Sequence, residues 1–434
     1  MKRRNFIRNL SLSASGAIMV PTIVKASALG RNGSVAANDR IELVLVGCAG
    51  MGSANLLNLL KDKGVECVAL CDVDSTRIAK QKAKLTEKGH ASSQKEFEDY
   101  RELLAWNAFD AAVIAVPDHW HAILYSTFAN HKKDVYGEKP LVRKLREGRI
   151  VADAVKENNI IWQTGSWQRS TENFAKACEL VQSGVLGEIE KIEVGLPNFD
   201  KKVGMPPKID VPDGLNWDLW LGPAPKKPYR GVSHWNWRWI MDYSGGQLTD
   251  WIGHHCDIAM WSMDLSHTGP TEIKADAKFA KGDYFDVPHE FDIDAKFENG
   301  LYMNIANADK LKHGMGVCWY GEKGWIHVNR GNKLAASDEK LLSVTIPESV
   351  TKFRSGNGTH WADFINGVRT RQQPIANVEA AHRAVSVALL GEIAYLADEK
   401  LKWDPKAEKL IGASSEANAM LARDYRSPWS LKGL

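Results

Sequence analysis

The stretch IELVLVGCAGMGSANLLNLL, residues 41–60, decides the fold. A strand-like run at 41–46 enters a glycine turn, and a segment of helical period follows at 53–62. Gly47 and Gly52 stand five positions apart, the spacing of the first and last glycines of a G-x-G-x-x-G turn. Such a turn lets a dinucleotide pyrophosphate approach the start of a helix. Ala49 replaces the middle glycine, while Gly50 beside it restores backbone freedom and Met51 completes the turn.

Moving outward, VECVALCDVD (65–74) reads as the second strand and carries Asp72 at its end. An acidic side chain there hydrogen-bonds the ribose hydroxyls of an adenosine and repels a 2′-phosphate. NAD(H) is therefore the expected cofactor and NADP(H) the disfavoured one, with Arg77 a little beyond softening that preference. Further strand candidates at 111–116, 134–138 and 160–164 alternate with helical segments at 75–88, 119–131 and 143–157. Strand, helix, strand at this spacing predicts a doubly wound parallel sheet, a Rossmann domain over 40–165.

Beyond about residue 184 the pattern changes to alternating apolar and polar runs at 188–196, 290–298, 301–307 and 324–328. Alternation marks strands with one covered face, so residues 166–434 are expected to form an α/β domain with a large, mostly antiparallel open sheet. A helical stretch at 377–400 has enough apolar positions to dock against either domain. Two domains also suit a chain of 434 residues.

The N-terminus, MKRRNFIRNLSLSASGAIMVPTIVKASALG, has paired Arg3 and Arg4, a mild apolar run and the small residues Ala26, Ser27 and Ala28. Residues 1–28 have the layout of a twin-arginine export signal, with 29–39 as a linker. The periplasm is then the expected location, reached by a folded chain. The run from Leu10 to Val24 is broken by serines, a glycine and a proline, so stable membrane insertion is not expected. The whole-chain charge of +3 includes five signal bases, which leaves a near-neutral remainder and no electrostatic footprint for nucleic acid. The six cysteines show no CxxC pair or zinc spacing and read as buried thiols.

Two later stretches bear chemistry. In VYGEKPL (135–141), Glu138 and Lys139 follow a strand at the carboxyl end, where open α/β sheets bind ligands. A lysine there can stabilise negative charge on a substrate oxygen. In SGGQLTDWIGHHCDIAMW (244–261), Asp250, His254 and Asp257 recur at intervals of four and three and share one helix face. A histidine on that face can take a hydroxyl proton, with a carboxylate one turn away to orient it. His255 points about 100° away. No third ligand is placed by spacing, so no metal is expected.

Sixteen tryptophans are unusually many, and they gather at 215–223 and 233–243. Trp235, Trp237 and Trp239 alternate with Asn236 and Arg238, which in an extended chain gives an aromatic face and a polar face. Such faces suit a sugar, and equally suit a loop anchored to the core. Trp167, Gln168, Arg169 and Asp257 join Trp235, Trp237 and Arg238 as substrate candidates, with Gln163 and His360 as further ones.

Together the glycine turn, Asp72, VPDHWHA (116–122), GEKPL (137–141) and the glycine-led D-x-x-x-H at 245–254 resemble the Gfo/Idh/MocA oxidoreductases, typified by glucose–fructose oxidoreductase and inositol dehydrogenase. The resemblance covers essentially the whole chain after the signal. It implies a nicotinamide lying between two domains and a homo-oligomer formed through the open sheet. It implies that Lys139 orients the substrate, that His254 is the acid/base and Asp250 its substrate-binding companion, and that Pro117 and His121 flank the nicotinamide, with Glu138 beside them. The expected function is oxidation or reduction of a secondary alcohol on a small-molecule sugar or glycoside, with a 3-keto sugar as one product and the cofactor held tightly. A redox-assisted glycosidase, epimerase or lyase, or a non-catalytic sugar-binding protein, are the alternatives.

Overall fold

A computed structural model describes residue 36 and residues 39–433. The export segment expected over 1–28 lies outside the described residues, as does most of the 29–39 linker.

The first sheet holds β1 (Ile41–Val46), β2 (Val65–Cys71), β3 (Lys95–Phe97), β4 (Ala111–Ile114), β5 (Asp134–Gly137) and β6 (Trp162–Thr164). Their order is β3-β2-β1-β4-β5-β6, all parallel. The strands β1, β4 and β5 are buried on both faces, which is why they read as apolar runs rather than alternating ones. The order reverses direction between β1 and β4, and a crevice opens beyond the carboxyl ends of strands at that point. Helices Gly50–Leu59, Ser75–Glu87, Tyr100–Trp106, His121–Asn130 and Leu145–Glu157 make the crossovers. Asp74 caps the second of these by accepting from the Thr76 N–H at 2.9 Å.

The second sheet has nine strands: β7 (Ile189–Leu196), β8 (Glu272–Phe279), β9 (Pro288–Lys296), β10 (Tyr302–Asn307), β11 (Gly316–Gly321), β12 (Gly324–Asn329), β13 (Lys333–Ala336), β14 (Leu401–Asp404) and β15 (Lys409–Leu410). They run in the order β13-β12-β11-β7-β10-β9-β8-β14-β15. Only β7 and β10 pair in parallel; the other neighbours are antiparallel. Alternating burial along β8 and β9 shows one face covered. The helix Gly246–Ser262 lies on that sheet and against the helix Val378–Ala397.

The C-terminal helix Val378–Ala397 also packs on Leu145–Glu157 of the first domain. The Arg143 guanidinium grips Glu392 through Nη1 at 2.8 and 2.9 Å, and Lys144 Nζ reaches the same carboxylate at 2.8 Å. Burial alone would raise the Glu392 carboxyl, but these two cations outweigh it and hold it at about 2.

The segment 233–243 is not extended: Val232–Asn236 is helical and Trp237–Trp239 forms a 3₁₀ turn. Trp220 meets His234 and Tyr243 edge-on, and only a coiled segment brings both rings to one indole. The aromatic-and-polar alternation therefore does not exist in space.

Candidate cofactor and substrate cleft

A cleft of ≈ 390 Å³ runs from the glycine turn to Lys139, with walls from both domains. Its first wall is built by backbone constraint. Gly47 has φ +90°, and a Cβ there would lie 2.3 Å from the Ala115 carbonyl oxygen. A Cβ on Gly52 would lie 2.1 Å from the Gly47 oxygen. Neither position admits a side chain, so strand and helix approach as a pyrophosphate turn requires. Ala49 precedes the helix Gly50–Leu59 without a capping side chain, which leaves the first amides to an anion. Ala49, Gly50 and Met51 all line the cleft.

Asp72 lines it too. Its carboxylate accepts from the Cys48 N–H at 2.7 Å and the Asp74 N–H at 3.0 Å, and burial pushes its pKa up to about 6. Each oxygen retains a lone pair for a ribose hydroxyl. From the second domain, Trp235 places its ring 3.7 Å from the Arg77 guanidinium, a contact that bridges the two domains beside this carboxylate.

At the other end stands Lys139. Its Nζ donates to Asp250 Oδ1 at 2.7 Å, and Arg238 Nε donates to the same oxygen at 2.7 Å. Burial alone would raise the Asp250 carboxyl; the Lys139 and Arg238 charges reverse that and hold it below the ordinary range. Pro117, Glu138, Trp237 and Arg238 complete this end. Glu138 accepts from Asn55 Nδ2 at 2.7 Å. Asp118, between them, accepts from the Ser244 hydroxyl at 2.5 Å and is pushed by burial up to about 7.

His254 follows Asp250 by one helical turn. Burial, reinforced by the Lys139 and Arg330 charges, keeps its pKa well below 6.5, so the ring is neutral. Trp167 and Trp251 flank it, with ring centroids at 6.2 and 5.5 Å. Gln168 lies against Nδ1, backed by Arg330. Arg330 follows β12 and escaped the sequence reading, since an arginine after a strand carries no signal of its destination. Trp220 and His234, which also line the cleft, lie within the tryptophan-rich stretches 215–223 and 233–243, although neither stands out there as a single residue.

Several candidates have other employment. Arg169 and Asp257 form a buried two-point ion pair, Nε to Oδ2 and Nη2 to Oδ1, both at 2.7 Å. Each is about 3% exposed, so the pair holds the Gly246–Ser262 helix and is not offered to a substrate. His121 does not flank the nicotinamide site: it is fully buried, with Nδ1 2.6 Å from the Pro140 oxygen and Nε2 2.9 Å from the Val116 oxygen. His360 accepts from the Ser170 hydroxyl and donates to the Thr164 oxygen, both at 2.8 Å, and Gln163 donates to the His360 carbonyl. His255 donates to the Gly195 oxygen at 3.0 Å. All six cysteines are free and buried.

A parallel β3-β2-β1-β4-β5-β6 sheet, a glycine turn closed to side chains and an acidic residue after β2 define a dinucleotide-binding protein. Residues 41–166 match the NAD-binding Rossmann fold of the GFO_IDH_MocA oxidoreductase family, and residues 170–431 match the C-terminal alpha/beta domain of that family. The chain belongs to the Gfo/Idh/MocA oxidoreductase family. It is 31% identical over 152 residues to an inositol 2-dehydrogenase of Rubrobacter xylanophilus, covering 35% of this chain and 42% of that protein. The chain spans less than half the length of such curated relatives. The fold is shared with the WlbA dehydrogenase of Bordetella pertussis, solved with NADH and UDP-GlcNAcA (TM-score 0.62, 15% identity, 84% of this chain and 99% of that one). It is shared also with myo-inositol 2-dehydrogenase of Lactobacillus plantarum (TM-score 0.58, 17% identity, 84% and 99%).

Proposed function

We propose that this chain is an exported, NAD-dependent oxidoreductase that transfers hydride at a secondary alcohol of a sugar, glycoside or cyclic polyol and keeps its cofactor between turnovers. The observation that carries this reading is one continuous cleft from the glycine turn to Lys139, with Asp250 bonded to that lysine and His254 one turn further on. A bound nicotinamide supplies the hydride acceptor. In this reading Lys139 Nζ, held by Asp250, donates to the substrate oxygen, and His254, neutral and one turn beyond Asp250, takes the hydroxyl proton as hydride leaves the same carbon for the nicotinamide. Trp237, which lines the cleft, offers an apolar face to the ring of a polyol. The inositol dehydrogenases among the relatives support a cyclic polyhydroxy substrate, and a 3-keto sugar is the corresponding product on a glycoside.

Asp72 favours NAD over NADP, because a carboxylate beside the ribose repels a 2′-phosphate. The Arg77–Trp235 contact supports retention, since release of the adenosine end then requires the domains to part there. Retention suits the twin-arginine start, because a folded protein carries its cofactor through export into a periplasm. The open sheet of the second domain is the face through which copies of the chain associate.

The test has two stages. Protein expressed with its N-terminal segment is denatured, and the released nucleotides are quantified; about one NAD(H) per chain is expected. Lys139→Ala and His254→Ala are then assayed for sugar-dependent change in the bound nicotinamide's absorbance. Both should lose it while retaining NAD(H), and full activity in either variant would sink the assignment.

A further inference from the structure

One carboxyl in the cleft wall has no task in the proposed reaction. Asp118 follows β4 and Pro117, borders the cleft and is 2% exposed. Its Oδ2 accepts from the Ser244 hydroxyl at 2.5 Å, a bond that joins the first domain to the second. Among the described residues no donor engages Oδ1, so the carboxyl keeps one oxygen for whatever fills the cleft.

The balance of charge around Asp118 indicates what that is. Lys139 and Arg238 both donate to the single carboxylate of Asp250, which leaves one positive charge in excess. Both cations act on Asp118 through their charge. An oxidised nicotinamide ring adds another positive charge, whereas the reduced ring is neutral. Glu138 also borders the cleft, but its carboxylate accepts from Asn55 Nδ2 and packs so closely on Gly165 that a Cβ there would lie 2.7 Å from Oε1. Asp118 Oδ1 has no such neighbour.

We propose that Asp118 is the counter-ion of the oxidised nicotinamide, ionised beside the cationic ring and taking up a proton when the ring accepts hydride and loses its charge. This rests on the cofactor and reaction proposed above. Hydride passes from the alcohol carbon to the ring, and the hydroxyl proton goes to His254. The proton on Asp118 comes from solvent through the cleft, so no further reactant is required.

The groups around Asp118 suit a carboxyl that changes state. Burial raises it, the Ser244 bond and the Arg238 and Lys139 charges pull it back, and Asp250 adds a smaller rise, which leaves it at about 7. Arg143, before the helix Leu145–Glu157, and Tyr125, on the helix His121–Asn130, also feel its charge. His119 beside it is held neutral by burial, at about 3. A cationic ring favours the ionised carboxyl and a neutral ring the protonated one. By linkage, an ionised Asp118 favours bound NAD over bound NADH by the same factor.

The test is infrared titration of the protonated carboxyl band in the full, NAD-loaded chain between about pH 5.5 and 9, first with the nicotinamide oxidised and then after its reduction with dithionite. Asp118→Asn keeps an acceptor for Ser244 and removes the band, which assigns it. Ser244→Ala removes a bond to the ionised form, so it moves the band's titration to higher pH in both states and assigns it independently. The expected result is a proton affinity about tenfold or more higher in the reduced protein, the effect of a unit charge within about 10 Å at an effective dielectric of about 20. A carboxyl that only latches the domains through Ser244 titrates identically in both states, and that result overturns the proposal. So does a carboxyl that keeps one protonation state throughout, or a change of the opposite sign. A chain that binds no NAD sinks the cofactor reading as well. A loaded protein whose nicotinamide no polyol reduces loses the proposed function, while the dithionite titration still decides Asp118.

Discussion

Replacing Asp250 with Asn tests the electrostatic centre of the cleft. The amide keeps the shape and one acceptor oxygen, so the change removes a charge and little else. In the native protein that charge is shared by Lys139 and Arg238, each 2.7 Å away, and all three side chains are largely withdrawn from water. At an effective dielectric of about 20, unit charges near 4 Å attract by about 4 kcal/mol. Desolvation of the carboxylate offsets part of this, and removing one member of a buried pair costs about 3–5 kcal/mol net. In a chain of this size that lowers the unfolding midpoint by about 5 °C or more. Hydride transfer should slow about 100-fold, because Lys139 loses the anchor that aims it. The assays are thermal unfolding of the NAD-loaded protein and single-turnover absorbance of the nicotinamide. The discriminating variant adds Arg238→Gln to Asp250→Asn. If two uncompensated cations cause the loss, removing one restores about 1 kcal/mol or more. Additive destabilisation, or a single variant within about 0.5 kcal/mol of the parent, would refute the reasoning.

Three further outcomes follow from the geometry. Gly47→Ala combines φ +90° with a Cβ 2.3 Å from the Ala115 oxygen, so the purified variant should release almost no nucleotide on denaturation, and parental stoichiometry would count against the site. Asp257→Asn should cost about 3–5 kcal/mol in unfolding measurements while leaving KM for the proposed substrate within about twofold, because its Arg169 pair supports a helix and not a ligand. Glu392, held at about 2 against an ordinary 4.5, has a folded pKa below its unfolded one. Its contribution of about 3 kcal/mol is complete above about pH 4.5 and is lost as pH falls towards about 2; acid titration of Glu392→Gln should be flatter over that window.

The sequence by itself determined the parts of this protein whose physics is local. A strand followed by glycines at fixed spacing, an acid after the next strand, and Asp250 and His254 at helical spacing are constraints a few residues long. They placed β1, β2 and the Gly246–Ser262 helix, and the cleft runs past the glycine turn and Asp72 to the lysine that Asp250 holds. Tertiary structure decided what depends on partners far along the chain. Lys95–Phe97 is a three-residue strand with no period of its own and exists because β2 offers it hydrogen bonds. Trp235 and Trp237 lie in helical turns because Trp220 collects His234 and Tyr243 around it. Arg169 met Asp257, His121 met two backbone carbonyls, and Arg330 met Gln168 across the fold. Side-chain type and spacing specify which chemistry a residue can perform. Which of its donors and acceptors remain free is set by packing among distant segments, and that decides whether an arginine or histidine serves the site or the scaffold.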